Sequence, residues 1–217
     1  NYAAQSNLKE IVLECGGKSP QIIFEDAEIN EHTVNNVLAA AFWNMSENCS
    51  CGSRLLVHSS KKEELLEKLV AGLSAWKIGD PRDESVSLGP MIEQAHFDKV
   101  TGYLKTAQDE GAKLVTGGKV QSDFGSGWYI EPTIFDGVTA DMTLFQEEVF
   151  GPLLAVTAFE TEEEAVALAN NSLYGLAASF YTQDLKRACR VANQIQAGMV
   201  SINGFSEGDI TTPFGGY

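Results

Sequence analysis

Hydrophobic positions along this chain follow two periods that take turns. Short continuous apolar runs occupy residues 10–14, 21–24, 54–58, 153–159, 176–181 and 199–202. Runs of that length, bounded by turn residues and rich in Val, Ile, Leu and Phe, are what buried strands look like. Between the runs the spacing becomes helical. Ile29, Val34, Val37, Leu38, Ala41 and Phe42 predict a helix over about 27–44. Leu65, Leu66, Leu69, Val70, Leu73 and Trp76 mark a second, amphipathic helix, and a third covers about 91–109. Thr161 followed by Glu164 is a capping box, which starts a helix running to about Asn170. Asp184 caps a helix carrying Ala188, Val191, Ala192 and Ile195, with Gly198 expected at its C′ position.

Strands that alternate with helices fold as an α/β unit: a mostly parallel sheet flanked by helices. Gly16-Gly17-Lys18-Ser19-Pro20, Gly117-Gly118 and Gly125-Ser126-Gly127 read as turns. No internal repeat, low-complexity tract or linker interrupts the pattern, so one domain over 1–217 is expected. The chain begins at Asn1 without Met and stops at Tyr217 in what reads as mid-loop, the mark of a piece of a longer protein.

Composition narrows the partners. The chain is 44% hydrophobic and 21% charged, ordinary for a globular protein. Its net charge of -15 argues against nucleic acid and anionic membrane surfaces, both of which ask for clustered Lys and Arg. No apolar run is long enough to span a bilayer. Four cysteines, Cys15, Cys49, Cys51 and Cys189, are too sparse for a disulfide scaffold, and a reducing, cytoplasmic setting is expected. The Cys49–Cys51 pair has no second pair at zinc spacing, so no metal is expected.

Three places carry candidate chemistry. Cys49 lies in a short polar loop between a predicted helix and a predicted strand, where a reactive group is both exposed and positioned. A thiol there becomes a nucleophile only with a lowered pKa or a nearby base; otherwise it is a bystander. Glu14 ends an apolar run just before two glycines. Partial burial would raise its pKa toward that of a useful general base, the alternative being a solvated strand end. Glu147-Glu148-Val149-Phe150-Gly151-Pro152 reads either as a solvated acidic pair before a turn or as a binding motif. His32, His58 and His96 form no recognisable triad, and His32 and His96 are expected on helix surfaces. The chain contains no Gly-rich phosphate loop.

Taken together, these segments resemble the aldehyde dehydrogenase superfamily. Leu13-Glu14-Cys15-Gly16-Gly17-Lys18-Ser19-Pro20 resembles its general-base signature, and the stretch from Phe42 to Arg54 around Cys49 its nucleophile signature. Glu147 to Pro152 is similar to its nicotinamide-ribose motif. Asn170-Asn171-Ser172-Leu173-Tyr174-Gly175-Leu176 and Pro213-Phe214-Gly215-Gly216-Tyr217 match further family stretches, in order along the whole chain.

The resemblance implies a Rossmann-like three-layer catalytic domain, with the nucleotide-binding domain absent from this chain. It implies NAD or NADP as cofactor, Cys49 as nucleophile, Glu14 as the base that activates water, and Glu148 and Phe150 against the cofactor. It also implies that the loop with Phe205, Glu207 and Asp209 lines the substrate pocket. That loop looks most like the branch acting on amino aldehydes, such as γ-glutamylaminobutyraldehyde or betaine aldehyde. Members of the family form homo-dimers or tetramers, and this chain alone is expected to turn over poorly.

Three residues depart from the pattern, among them Cys15, which replaces the usual aliphatic residue and reads as packing. Ser46 stands where the family usually has Gly, and Met45 where Gln is common. If the backbone at Ser46 needs a positive φ, serine costs roughly 1 kcal/mol there. Other readings remain open on the same residues: a CoA-acylating relative, which would not need Glu14 as a water base; a cysteine hydrolase, which would need a His beside Cys49; and a non-catalytic protein on this scaffold.

Overall fold

The computed structural model describes residues 1–121, 124, 127–205, 208 and 211–217. A short turn of helix α1 (Tyr2–Gln5) is followed by strand β1 (Pro20–Ile23), helix α2 (Glu31–Phe42) and strand β2 (Arg54–His58). Helices α3 (Ser59–Leu73) and α4 (Gln94–Asp109) come next, then β3 (Lys113–Thr116), the small β4 (Val120–Gln121) and β5 (Tyr129–Ile130), and β6 (Thr133–Asp136). The rest is α5 (Thr143–Gln146), β7 (Leu153–Phe159), α6 (Glu162–Asn170), β8 (Ala177–Tyr181), α7 (Leu185–Ala192) and β9 (Met199–Ile202).

Seven strands form one sheet in the order β3-β6-β7-β2-β1-β8-β9. Every pairing from β6 to β9 is parallel, and β3 joins the edge antiparallel to β6. β4 and β5 make a separate two-stranded ribbon.

The central strands read as continuous apolar runs because both of their faces are covered. Successive residues go to opposite sides: Ile22, Leu56 and Phe180 join one core, Ile23, Leu55 and Tyr181 the other. The first core is closed by Val100 and Leu104 of α4, Phe145 of α5, Ala165 of α6 and Val191 of α7. The second is closed by Val37, Leu38 and Phe42 of α2 with Leu65 and Leu69 of α3. The result is the expected three-layer arrangement.

Several sequence expectations are refined and two are corrected. Thr161 caps α6 by accepting the Glu164 N–H at 3.2 Å, while the Glu164 carboxylate takes the Glu160 N–H at 2.8 Å. Asp184 caps α7 through the Lys186 N–H at 2.8 Å. Gly198, however, is no helix cap: α7 ends at Ala192 with Asn193 as its cap, and Gly198 stands just before β9 against the backbone of Gly215. Residues 10–14 are not a strand. Among the described residues no strand pairs with them, and Ile11, Val12 and Leu13 are 60%, 83% and 77% exposed, so the run has apolar character without a partner there. Gly117 and Gly118 both stand at positive φ in the connection between β3 and β4, whereas Gly125 and Ser126 lie outside the described residues.

Candidate active site

The candidate residues gather at the amino ends of the parallel strands. Gly16 and Gly17 lead into β1, the Cys49 loop into β2, Phe150 into β7 and Gly175 into β8. Open α/β sheets ordinarily bind ligands at the carboxyl ends of their strands. In this chain that end carries a polar cluster: Asp26 accepts hydrogen bonds from Thr182, Gln183, Asp184 and Arg187.

The Cys49 loop is built from unusual backbone. α2 stops at Phe42, and Asn44, Met45 and Ser46 follow at φ of 52°, 56° and 61°. Three successive non-glycine residues in the left-handed region are costly, and the surroundings hold them there. The Ser46 hydroxyl is buried and donates to the Ala41 carbonyl at 2.5 Å. Met45 Sδ accepts the Gly89 N–H at 3.3 Å. Asn44 Nδ2 donates to the Glu47 carbonyl at 3.0 Å, and the Gly52 N–H ties the far side of the loop to the Ala40 carbonyl at 2.9 Å. Ser46 therefore occupies the positive-φ position inferred for it, and its hydroxyl supplies an anchor that glycine lacks. Cys49 itself is half-buried.

Gly16 and Gly17 bring the other segments against this loop. A Cβ on Gly17 would lie 3.2 Å from the Cys49 carbonyl carbon and collide with its oxygen. A Cβ on Gly16 would collide with the Glu148 carboxylate. The Gly17 N–H donates to Glu148 Oε1 at 2.8 Å. One glycine pair thus abuts both the backbone of Cys49 and the side chain of Glu148.

Helix α4 grips the Glu147–Phe150 segment along one face. His96, Lys99 and Tyr103 recur at helical spacing. His96 Nε2 donates to the Phe150 carbonyl at 2.5 Å, Lys99 Nζ to the Glu148 carbonyl at 3.3 Å, and the Tyr103 hydroxyl to Glu147 at 2.7 Å. Burial, with the Glu147 carboxylate beside it, pushes the Tyr103 phenol up to about 12. His96 is therefore not the free surface residue expected from its place on a helix: its side chain is only 13% exposed. Phe150 holds a φ of 59°.

Two buried cations under the site went unnoticed in the sequence. Arg54 donates to the carbonyls of Lys18 at 2.7 Å, Leu168 at 3.0 Å and Ala169 at 2.8 Å, and its guanidinium lies 4.9 Å over the Phe145 ring. It thereby satisfies carbonyls at the end of α6 and locks the start of β2 to the start of β1. Burial lowers the guanidinium to about 9, still charged at neutral pH. Lys18 is fully buried, and among the described residues its amine has no hydrogen-bond partner. Burial pushes it down to about 7, opposed by the nearby Cys51, Glu148 and Glu147.

Glu14 is exposed, as is Cys15, so the partial burial expected for a general base is not present around it in this chain. Its neighbours Leu13, Cys15 and Gly16 line an open hollow of about 570 Å³ with Leu173, Tyr174 and Tyr217. Phe205 is half-buried, and its N–H donates to Asn36 of α2 at 2.8 Å. Glu207 and Asp209 lie outside the described residues. Among the described residues, no cluster of His, Cys, Asp or Glu is arranged to hold a metal ion, and no helix is long and apolar enough to cross a membrane.

A comparison with known protein families decides the affiliation: the model of the aldehyde dehydrogenase family matches residues 1–217. The chain belongs to the aldehyde dehydrogenase family. Among curated relatives, an aminoacetaldehyde dehydrogenase of Pseudomonas aeruginosa is 50% identical over 216 residues, covering 100% of this chain and 43% of that protein. A betaine aldehyde dehydrogenase of Brucella anthropi is 42% identical, covering 99% of the chain and 44% of that protein. Among solved structures, an indole-3-acetaldehyde dehydrogenase in complex with NAD+ superposes with a TM-score of 0.95 at 42% identity, over 100% of this chain and 44% of that one. The chain thus spans less than half the length of these relatives.

Proposed function

We propose that this chain is the catalytic portion of an NAD(P)-dependent aldehyde dehydrogenase that converts an aldehyde to a carboxylic acid, with Cys49 as nucleophile and Glu14 as general base. The observation that carries the reading is the glycine pair Gly16-Gly17, packed at once against the Cys49 backbone and the Glu148 carboxylate. It holds Cys49 and Glu148 in one cradle, which supports reading them as nucleophile and ribose-binding acid.

The chemistry follows from the residue types. The Cys49 thiolate adds to the aldehyde carbon and places the charge on oxygen, where backbone N–H donors stabilise it. The nicotinamide, when bound, supplies the two-electron acceptor for the hydride that leaves this carbon. The acyl group is then held on Cys49 Sγ as a thioester. Glu14 takes a proton from water, and the resulting hydroxide displaces the thiolate and releases the acid. Glu148 keeps acceptor capacity after receiving the Gly17 N–H, because a carboxylate accepts about four hydrogen bonds in all, and this fits a ribose diol. Phe150 would help to hold the nicotinamide in this reading.

A nucleotide-binding domain outside this chain covers residues 8–15 in the proposal. Burying Ile11, Val12 and Leu13, now exposed, favours that docking by about 1.5–3 kcal/mol each. Such docking also supplies the burial that Glu14 needs as a base. By itself, then, the chain turns over poorly. In the longer protein the substrate is an amino aldehyde, the reading that the aminoacetaldehyde and betaine aldehyde relatives support. The working form is a cytoplasmic homo-dimer or tetramer.

The deciding experiment restores the segments present in the relatives and follows NAD(P)H formation. Cys49→Ala abolishes turnover, and Glu14→Gln accumulates thioester. Full turnover by either variant would overturn the corresponding role.

A further inference from the structure

We infer that His96 is a positioning residue that braces the Cys49 loop against the Phe150 backbone through Glu47, an inference that rests on Cys49 being the nucleophile. Glu47 stands two positions before Cys49 in the chain. Its Oε1 accepts the Ile92 N–H at 3.2 Å and lies 3.6 Å from His96 Nε2. The same nitrogen is 2.5 Å from the Phe150 carbonyl oxygen. A carbonyl only accepts, so Nε2 carries the proton and donates. The His96 ring also stands edge-on to the Phe150 ring, with centroids 6.2 Å apart. One imidazole nitrogen, fixed on α4, therefore meets both Glu47 of the nucleophile loop and the candidate cofactor segment.

Both ends of the brace need holding. The Cys49 loop carries three successive left-handed residues, and Phe150 is itself at φ 59°. Backbone in that region persists where surrounding contacts over-determine it. The Glu47 and His96 side chains are 11% and 13% exposed, so the contact between them is less screened than that of a surface pair. Burial shifts the Glu47 carboxyl upward, a cost that the Ile92 N–H and His96 both offset. Through this link a displacement at Phe150 is felt two residues from the reactive sulfur.

The brace is tested on the full 217-residue chain by peptide-resolved alkylation with iodoacetamide, comparing His96→Asn with His96→Gln. Both variants are polar and suit a half-buried helix position. Asn is too short to reach the Phe150 carbonyl, whereas Gln reaches it with an N–H. One hydrogen bond of ordinary net strength corresponds to about threefold to tenfold in a local opening equilibrium, so His96→Asn speeds Cys49 alkylation by at least about threefold. Cys189, exposed on α7, keeps its wild-type rate, and His96→Gln returns Cys49 close to wild type. An unchanged Cys49 rate in His96→Asn would overturn the brace. So would a Gln variant as fast as Asn, or a parallel rise at Cys189, which signals general loosening. No turnover is needed for this assay, so its failure is separate from any failure of Cys49 as nucleophile.

Discussion

Gly17 and Cys49, far apart in sequence, meet so closely that the Cys49 carbonyl occupies the space where a Gly17 side chain would begin. The contact is backbone against backbone, and neither side has a flexible end that can swing away. Gly16 differs, because its neighbour is the Glu148 carboxylate at the tip of a movable side chain. Gly17→Ala is therefore expected to destabilise the chain by about 1–3 kcal/mol, as overpacking does, and Gly16→Ala by less. Urea unfolding of the two variants checks the order. Equal losses would mean that the Cys49 loop yields as readily as a side chain.

Ser46 pays a left-handed backbone penalty and recovers a buried hydrogen bond to Ala41. Ser46→Ala keeps the strain and loses the bond, so it is expected to cost about 1 kcal/mol or more. Ser46→Gly loses the bond but relieves a strain of roughly 1 kcal/mol, leaving it close to wild type. Thermal melts read this order. An alanine variant as stable as the glycine variant would show that backbone strain at this position is negligible.

Lys18 ties stability to alkaline pH. Its folded-state pKa of about 7 lies below its ordinary value of 10.5. Below pH 7 the amine is charged in both folded and unfolded chains, and the burial cost is borne in full. Between these two values the unfolded chain binds the extra proton, so stability rises with pH by up to about 1.4 kcal/mol per unit. Lys18→Met removes the charge and keeps an unbranched apolar side chain. It is expected to raise the melting temperature most near pH 6, with the gap narrowing by about pH 9. Melting curves that run parallel across this range would place the amine in a wetter setting than its burial implies.

Glu207 and Asp209 supply the charge expected to draw a cationic substrate tail. In the longer protein, Glu207→Gln with Asp209→Asn is expected to raise KM for an amino aldehyde by roughly tenfold, the equivalent of about 1.4 kcal/mol, and to leave a neutral alkanal unaffected. Steady-state kinetics on both substrates provides the check. An amino-aldehyde KM that the double substitution leaves unchanged would remove these acids from substrate selection.

Much of the architecture was legible in the residues alone. The apolar run at 153–159 became β7 with those bounds, because a strand buried on both faces leaves an unbroken hydrophobic trace. The caps at Thr161 and Asp184 were legible for a similar reason: a side chain that satisfies an N–H two or three residues away is a local event. The run at 10–14 misled, since apolar character marks a wish for burial without saying what provides it. Gly198 misled as well, its place being set by a contact with Gly215 and not by the end of α7.

The sequence by itself determined the α/β class, the family and the residue types able to do the chemistry, because periodicity and motif are properties of neighbours along the chain. Only the tertiary structure decided that these residues gather at the amino ends of the strands, that Ser46 holds a left-handed backbone with its hydroxyl as anchor, and that His96, Arg54 and Lys18 stand beneath or beside the site. Those facts depend on groups such as Arg54 and Leu168, or His96 and Phe150, which meet only after the sheet has formed. A lysine in a sequence looks the same whether it ends in water or in a core; burial, which sets its charge, is a property of the whole fold.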